Sequence, residues 1–171
     1  PRTLRHELAR VEEGTAGWAR CASLAFSYHV CTPLGERPHW WTDDALLAMS
    51  ARVVRVLPED ASAWAMRGQV LSAQTFVGVG RGAPWLAGAR STEQLREAAD
   101  CFGKAATLPP TLGSPHFDPQ DLEAYRQECS RIADSRTAGG ALATTWEPAP
   151  LQAAPLVAGH AGALDELTTQ D

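Results

Sequence analysis

Cys21, His29, Cys31 and His39 lie close together and are of the types that hold metals. Zinc takes thiolate and imidazole ligands, and compact sites pair them at spacings such as C-x₂-C. No such spacing occurs here, and Cys21 falls on the expected buried face of a helix. The set reads as small buried thiols plus loop histidines, with no metal or other cofactor. A Cys21–Cys31 or Cys101–Cys129 disulfide stays open, although a helical domain of this size requires none. An enzyme built on His29, Cys31 and His39 would need their side chains to converge in one pocket. Gly78, Gly80 and Gly82 form a GVGRG run. No strand pattern precedes it and no Gly-Lys-Ser/Thr follows, so it reads as a loop rather than a phosphate cradle. No Ser-His-Asp set stands out. The acid pairs Asp43/Asp44 and Glu59/Asp60 sit where helices start, which explains them as capping charge. The expectation is a protein that is not an enzyme.

The aromatic residues carry a different message. Trp40 lies in one long loop, Trp85 in another and Trp146 near the C-terminal end, with Arg37, Arg81 and Arg90 close by. Trp and Arg are over-represented where protein interfaces concentrate their binding energy. If both loops leave the same end of the helices, Arg37, Trp40, Arg81, Trp85 and Arg90 form one partner-binding surface, with Trp146 as a further contact. The alternative is that each Trp folds back into the domain's own core, Trp41 above all.

The elements that must position these residues follow from composition. Among 171 residues there are 30 Ala and a single Ile. Ala is the best helix former and β-branched residues favour strands, so the chain is expected to be all-α. One Lys against 14 Arg, with no Asn, fits a GC-rich coding sequence and carries no functional message. The net charge of −5 is concentrated in residues 137–171, which hold Glu147, Asp165, Glu166 and Asp171 and no Lys or Arg. Residues 1–136 are nearly balanced. No basic surplus is left for nucleic acid. No apolar run approaches the ~20 residues of a membrane span, which leaves room only for peripheral attachment to a membrane complex. The chain begins at Pro1 rather than Met, as a processed or trimmed form would. The expected location is intracellular, in the cytoplasm or an organelle interior.

Periodicity divides residues 1–136 into helices. Residues 2–13 place Leu4, Leu8 and Val11 on one face, and Gly14 ends the segment. Thr15 caps a helix to about Val30 with Trp18, Cys21, Ala22, Ala25 and Phe26 inward. Thr42 caps the next, which stops at Pro58. A fourth covers about 61–74. After the loop at 76–90, Ser91 or Thr92 caps a helix over about 92–108, which ends before Pro109 and Pro110. Asp118 and Pro119 are an N-cap and first-turn pair for a last helix to about Ser135. Residues 137–171 are Ala, Gly, Pro and Thr with isolated Leu, an extended tail rather than a helix.

Residues 58–110 resemble the tetratricopeptide repeat, a helix pair of ~34 residues with a W-x₂-L-G-x₂-Y…A-x₃-F…P signature. Trp64 and Gly68 stand at its first-helix positions, and Ala98, Phe102, Ala105 and Pro110 at its second-helix positions. Arg67 replaces the usual Leu and Leu71 the Tyr. Pro58 to Pro110 exceeds one period by about 18 residues, all in the Gly-rich loop between the paired helices. A looser copy precedes it, with Trp18 where Trp64 stands and Pro58 closing it. The resemblance implies two repeats with long inter-helix loops, then a capping helix at 119–135. Gly68 and Ala98 are expected to let the paired helices approach, with Trp64 and Phe102 filling the remaining space.

Such a chain is expected to be a non-catalytic scaffold or assembly subunit, bound to other protein subunits of a hetero-complex through its loops and tail. The alternative is a peptide-binding adaptor that holds a mobile client in the groove. Repeats that clamp a client's terminal carboxylate use Lys, Asn and Arg on their first helices. The corresponding positions here, Ser62, Ala65, Gln69 and Ser72, are expected to face outward and supply no such clamp.

Overall fold

The computed structural model describes residues 12–32, 36–73, 90–111 and 117–137. Among them it holds five α-helices and no strand: α1 (Ala16–Val30), α2 (Asp43–Val56), α3 (Ala61–Leu71), α4 (Thr92–Thr107) and α5 (Pro119–Thr137). The expected helix at 2–13, the loop at 76–90 and the tail beyond Thr137 fall wholly or mostly outside the described residues.

Local chemistry sets the helix starts. Thr15, Thr42, Asp60 and Ser91 are all in extended backbone, and each side chain accepts a bond from a free amide of the first turn. Ser91 goes further: Gln94 reaches back to the Ser91 N–H at 2.9 Å, completing a reciprocal capping box. Asp118 Oδ1 accepts from the Gln120 N–H at 2.8 Å, just ahead of Pro119. Two ends differ from expectation. Helix α3 stops at Leu71 rather than 74, because Ala73 takes a left-handed conformation at φ 61° and turns the chain out of the helix. Helix α5 runs to Thr137, whose hydroxyl donates to Ala133 O at 3.0 Å.

Each helix packs on the next in sequence, and α1 also touches α3. Two apolar clusters result. Trp18, Ala22, Phe26, Trp41, Leu46, Val53, Ala63, Met66 and Val70 join α1, α2 and α3. Ala65, Leu71, Leu95, Ala98, Phe102, Ala105, Leu122, Cys129 and Ile132 join α3, α4 and α5. Helix α3 serves both, which accounts for its nearly uncharged sequence ASAWAMRGQVL: a helix packed on two sides must be apolar most of the way round. The same geometry corrects one expectation. Ser62, Ala65 and Ser72 are buried, not outward-facing, because α3 lies between two layers rather than along an open groove.

The residues singled out for repeat packing differ in burial. Trp18, Ala98, Phe102 and Ala105 are buried. The half-buried Trp64 donates from Nε1 to Pro58 O at 2.7 Å, so these two residues are tied by a hydrogen bond. Pro110 is exposed, just past the end of α4. No helix among the described residues is long and apolar enough to cross a membrane.

Candidate functional site

The end of α1 and the segment leading into α2 bring five rings together. Trp41 stacks on Phe26 with centroids 5.4 Å apart and planes 16° from parallel. The Trp40 ring lies 5.6 Å from that of Trp41. His29 stands between them, edge-on to Tyr28 at 5.1 Å, to Trp40 at 5.8 Å and to Trp41 at 5.9 Å. Edge-on and offset rings are the favoured arrangements for aromatic pairs. Trp41 is buried and Trp40 half-buried, while Tyr28, at 45 % exposure, is the large apolar side chain most open to solvent among the described residues.

Arg37 locks this junction. Its Nε donates to Thr32 O at 2.8 Å and its Nη2 to Val30 O at 3.0 Å, so the guanidinium satisfies carbonyls at the C-terminal end of α1. A cation is favoured there by the helix dipole. The same group lies over the Trp41 ring, 5.2 Å from its centroid, within cation–π range. Burial lowers the pKa of Arg37 from its ordinary value. Burial also lowers that of His29, helped by the nearby Arg37 charge, so the neutral imidazole is favoured. Two buried polar atoms in this cluster, His29 Nδ1 and Trp41 Nε1, have no hydrogen-bond partner among the described residues.

Arg37 and Trp40 both adjoin Trp41, Arg37 over its ring and Trp40 beside it. Arg90 is engaged elsewhere. It is 6 % exposed and its guanidinium makes a two-pronged pair with Asp43, the first residue of α2, and donates to Val70 O at 2.9 Å. Arg136 of α5 in turn donates to Arg90 O. The Arg90 charge is spent inside the fold because Asp43 faces it across the α2–α3–α4 junction. Arg81, Trp85 and Trp146 lie outside the described residues.

Two residues of consequence escape a sequence reading, Tyr28 and Arg67. His29, read from the sequence as a loop histidine, lies instead in the last turn of α1. Arg67 reads as a departure from the repeat signature, yet it spans three helices. Its Nη1 donates to Leu47 O at 2.9 Å and Ser50 Oγ at 3.2 Å on α2, and its Nη2 to Glu97 of α4 at 2.8 Å. A lone charge on an otherwise uncharged helix is the signal that marks it.

The cysteines are free thiols: Cys101 and Cys129 buried, Cys21 half-buried rather than fully inward, Cys31 exposed. Among the described residues no three His, Cys, Asp or Glu side chains gather closely enough to hold a metal ion. Comparison with protein-family models, with curated proteins and with solved structures returns no match for this chain.

Proposed function

We propose that this chain is a non-catalytic helical scaffold that joins other protein subunits in a larger assembly, and that the α1–α2 junction is its contact surface. The observation that carries this reading is the cluster of Tyr28, His29, Trp40 and Trp41 under Arg37. It places half-open aromatic rings and a guanidinium at one end of the stack, the combination that dominates interface energetics. The packing of α1 on both α2 and α3 is what stacked helical pairs would give, and it supports a tetratricopeptide-like arrangement. The adaptor alternative draws less support, because α3 keeps Ser62, Ala65 and Ser72 buried and so offers little groove.

The test is a photo-crosslinking amino acid placed at position 40 in the full chain, expressed in its source cells. A discrete adduct with one protein, lost when Tyr28→Ala and Arg37→Gln are added, is the expected result. A chain that runs as a monomer in native lysate and yields no adduct overturns the reading.

A further inference from the structure

Resting on that reading, we propose that His29 is an acid-sensitive switch in the α1–α2 junction: its protonation drives Trp40 out of the ring cluster and releases the partner bound there. A neutral imidazole suits the place His29 occupies. Its ring stands edge-on to Tyr28, Trp40 and Trp41, at centroid distances of 5.1, 5.8 and 5.9 Å. Its Nδ1 is buried and has no hydrogen-bond partner among the described residues. Imidazolium carries an N–H on both nitrogens, so charging the ring sets a donor at Nδ1 with no acceptor to meet it. Such a donor forfeits its bonds to water, and the penalty grows when it is charged. The rings around it do not compensate at Trp41. A cation gains from a ring's face and loses at its edge, where the quadrupole is positive. Phe26 lies flat against Trp41 and the Arg37 guanidinium lies over it, so the faces of that ring are in use.

The surrounding charge opposes a second cation as well. Arg37, from the segment before α2, and the chain's amino terminus both bear on His29 as positive charge. Tyr28 and Cys31 are its titratable neighbours in the chain. At the start of α2, Asp43 is committed to Arg90. Arg67, the charged residue of α3, is committed to α2 and α4. Relief therefore comes where the cover is weakest. Trp41 is buried and held by Phe26 and Arg37, whereas Trp40 is half-buried and meets His29 and Trp41 from the open side. Swinging Trp40 outward lets water reach Nδ1 and dismantles the aromatic surface offered to the partner.

The experiment takes the full chain from about pH 7.5 to about pH 5 and follows tryptophan emission and its quenching by acrylamide. The expected result is a red shift with stronger quenching, at a midpoint below 6.5 and with unchanged far-UV circular dichroism. His29→Phe keeps a ring and has no proton to gain, and Trp40→Phe lacks the indole that moves, so each should lose the transition. A transition that survives in either variant, that is absent from wild type, or that tracks a loss of circular dichroism overturns the proposal. A photo-crosslinking amino acid at position 28 reads the partner. Its adduct should form at about pH 7.5, fade at about pH 5, and persist at both when His29→Phe is added. An adduct that persists at about pH 5 without His29→Phe keeps the scaffold reading and overturns the release. An emission transition with no adduct at either pH sinks the scaffold reading and leaves the switch standing.

Discussion

Gly68 and Phe102 are in direct contact across the α3–α4 interface: a methyl group at position 68 would stand 2.8 Å from Phe102 Cε1 and 2.9 Å from Cδ1 and Cζ. Phe102 is fully buried, so its ring has nowhere to retreat. Gly68→Ala gains about 1 kcal/mol in helix propensity and loses about 1–3 kcal/mol to overpacking. The net expectation is destabilisation of up to about 2 kcal/mol, read by urea denaturation. Phe102→Leu should cost less in the Gly68→Ala background than in wild type, because the two changes share one contact. Additive costs would mean that the ring does not press on position 68.

A second prediction concerns Arg90 and Asp43. The Arg90 side chain is 4 % exposed and that of Asp43 42 %. Removing the carboxylate strands a buried guanidinium, whereas removing the guanidinium leaves an acid that water can reach. Asp43→Ala is expected to cost about 3 kcal/mol and Arg90→Met clearly less. The double variant should be more stable than Asp43→Ala alone. Chemical denaturation of the three variants gives the order, and equal single costs would refute it.

These two relationships differ in how far the sequence announced them. The glycine followed from the repeat resemblance, since Gly68 and Phe102 stand at positions of one signature. The Arg90–Asp43 pair did not. Their partnership depends on how the chain returns after residues 74–89, and no local period encodes that. Helix starts were legible for a local reason: Thr15, Thr42, Asp60, Ser91 and Asp118 act on amides two or three residues away. The end of α3 was not, because Ala73 takes a conformation that alanine rarely adopts. At the candidate site, Arg37 and Trp40 were singled out from residue type. The role of His29 needed the fold, which brings three rings around it.

Stability should depend on pH through His29. Its folded-state pKa is lowered, chiefly by burial, with nearby positive charge adding to it. The unfolded chain therefore binds the proton more readily, and stability rises with pH through this group. Its contribution is complete above the unfolded value near 6.5, falls as pH drops below it, and is lost once the folded-state value is passed. Urea midpoints at about pH 7.5 and 5.5 should differ more in wild type than in His29→Phe. An equal shift in both chains would place the dependence elsewhere.

The thiols should divide by accessibility. Burial pushes Cys101 and Cys129 up to about 12 each, so almost no thiolate exists at neutral pH, and both sit inside the α3–α4–α5 cluster. Cys31 is exposed at the end of α1; partial burial raises its pKa while the Arg37 charge opposes the rise, so its lead over the buried thiols rests on access. The thiolate is the reactive form, and reagent must also reach it. Alkylation of the native chain at about pH 8, a little below the ordinary thiol pKa, should label Cys31 first and Cys21 more slowly, with Cys101 and Cys129 labelled only on unfolding. Peptide mapping by mass spectrometry reads the order. Early labelling of Cys129 would mean that α5 opens from the stack under native conditions. Such opening would also break the Arg136 contact to Arg90 O, so Arg136→Ala should speed labelling at Cys129 while leaving Cys31 unchanged.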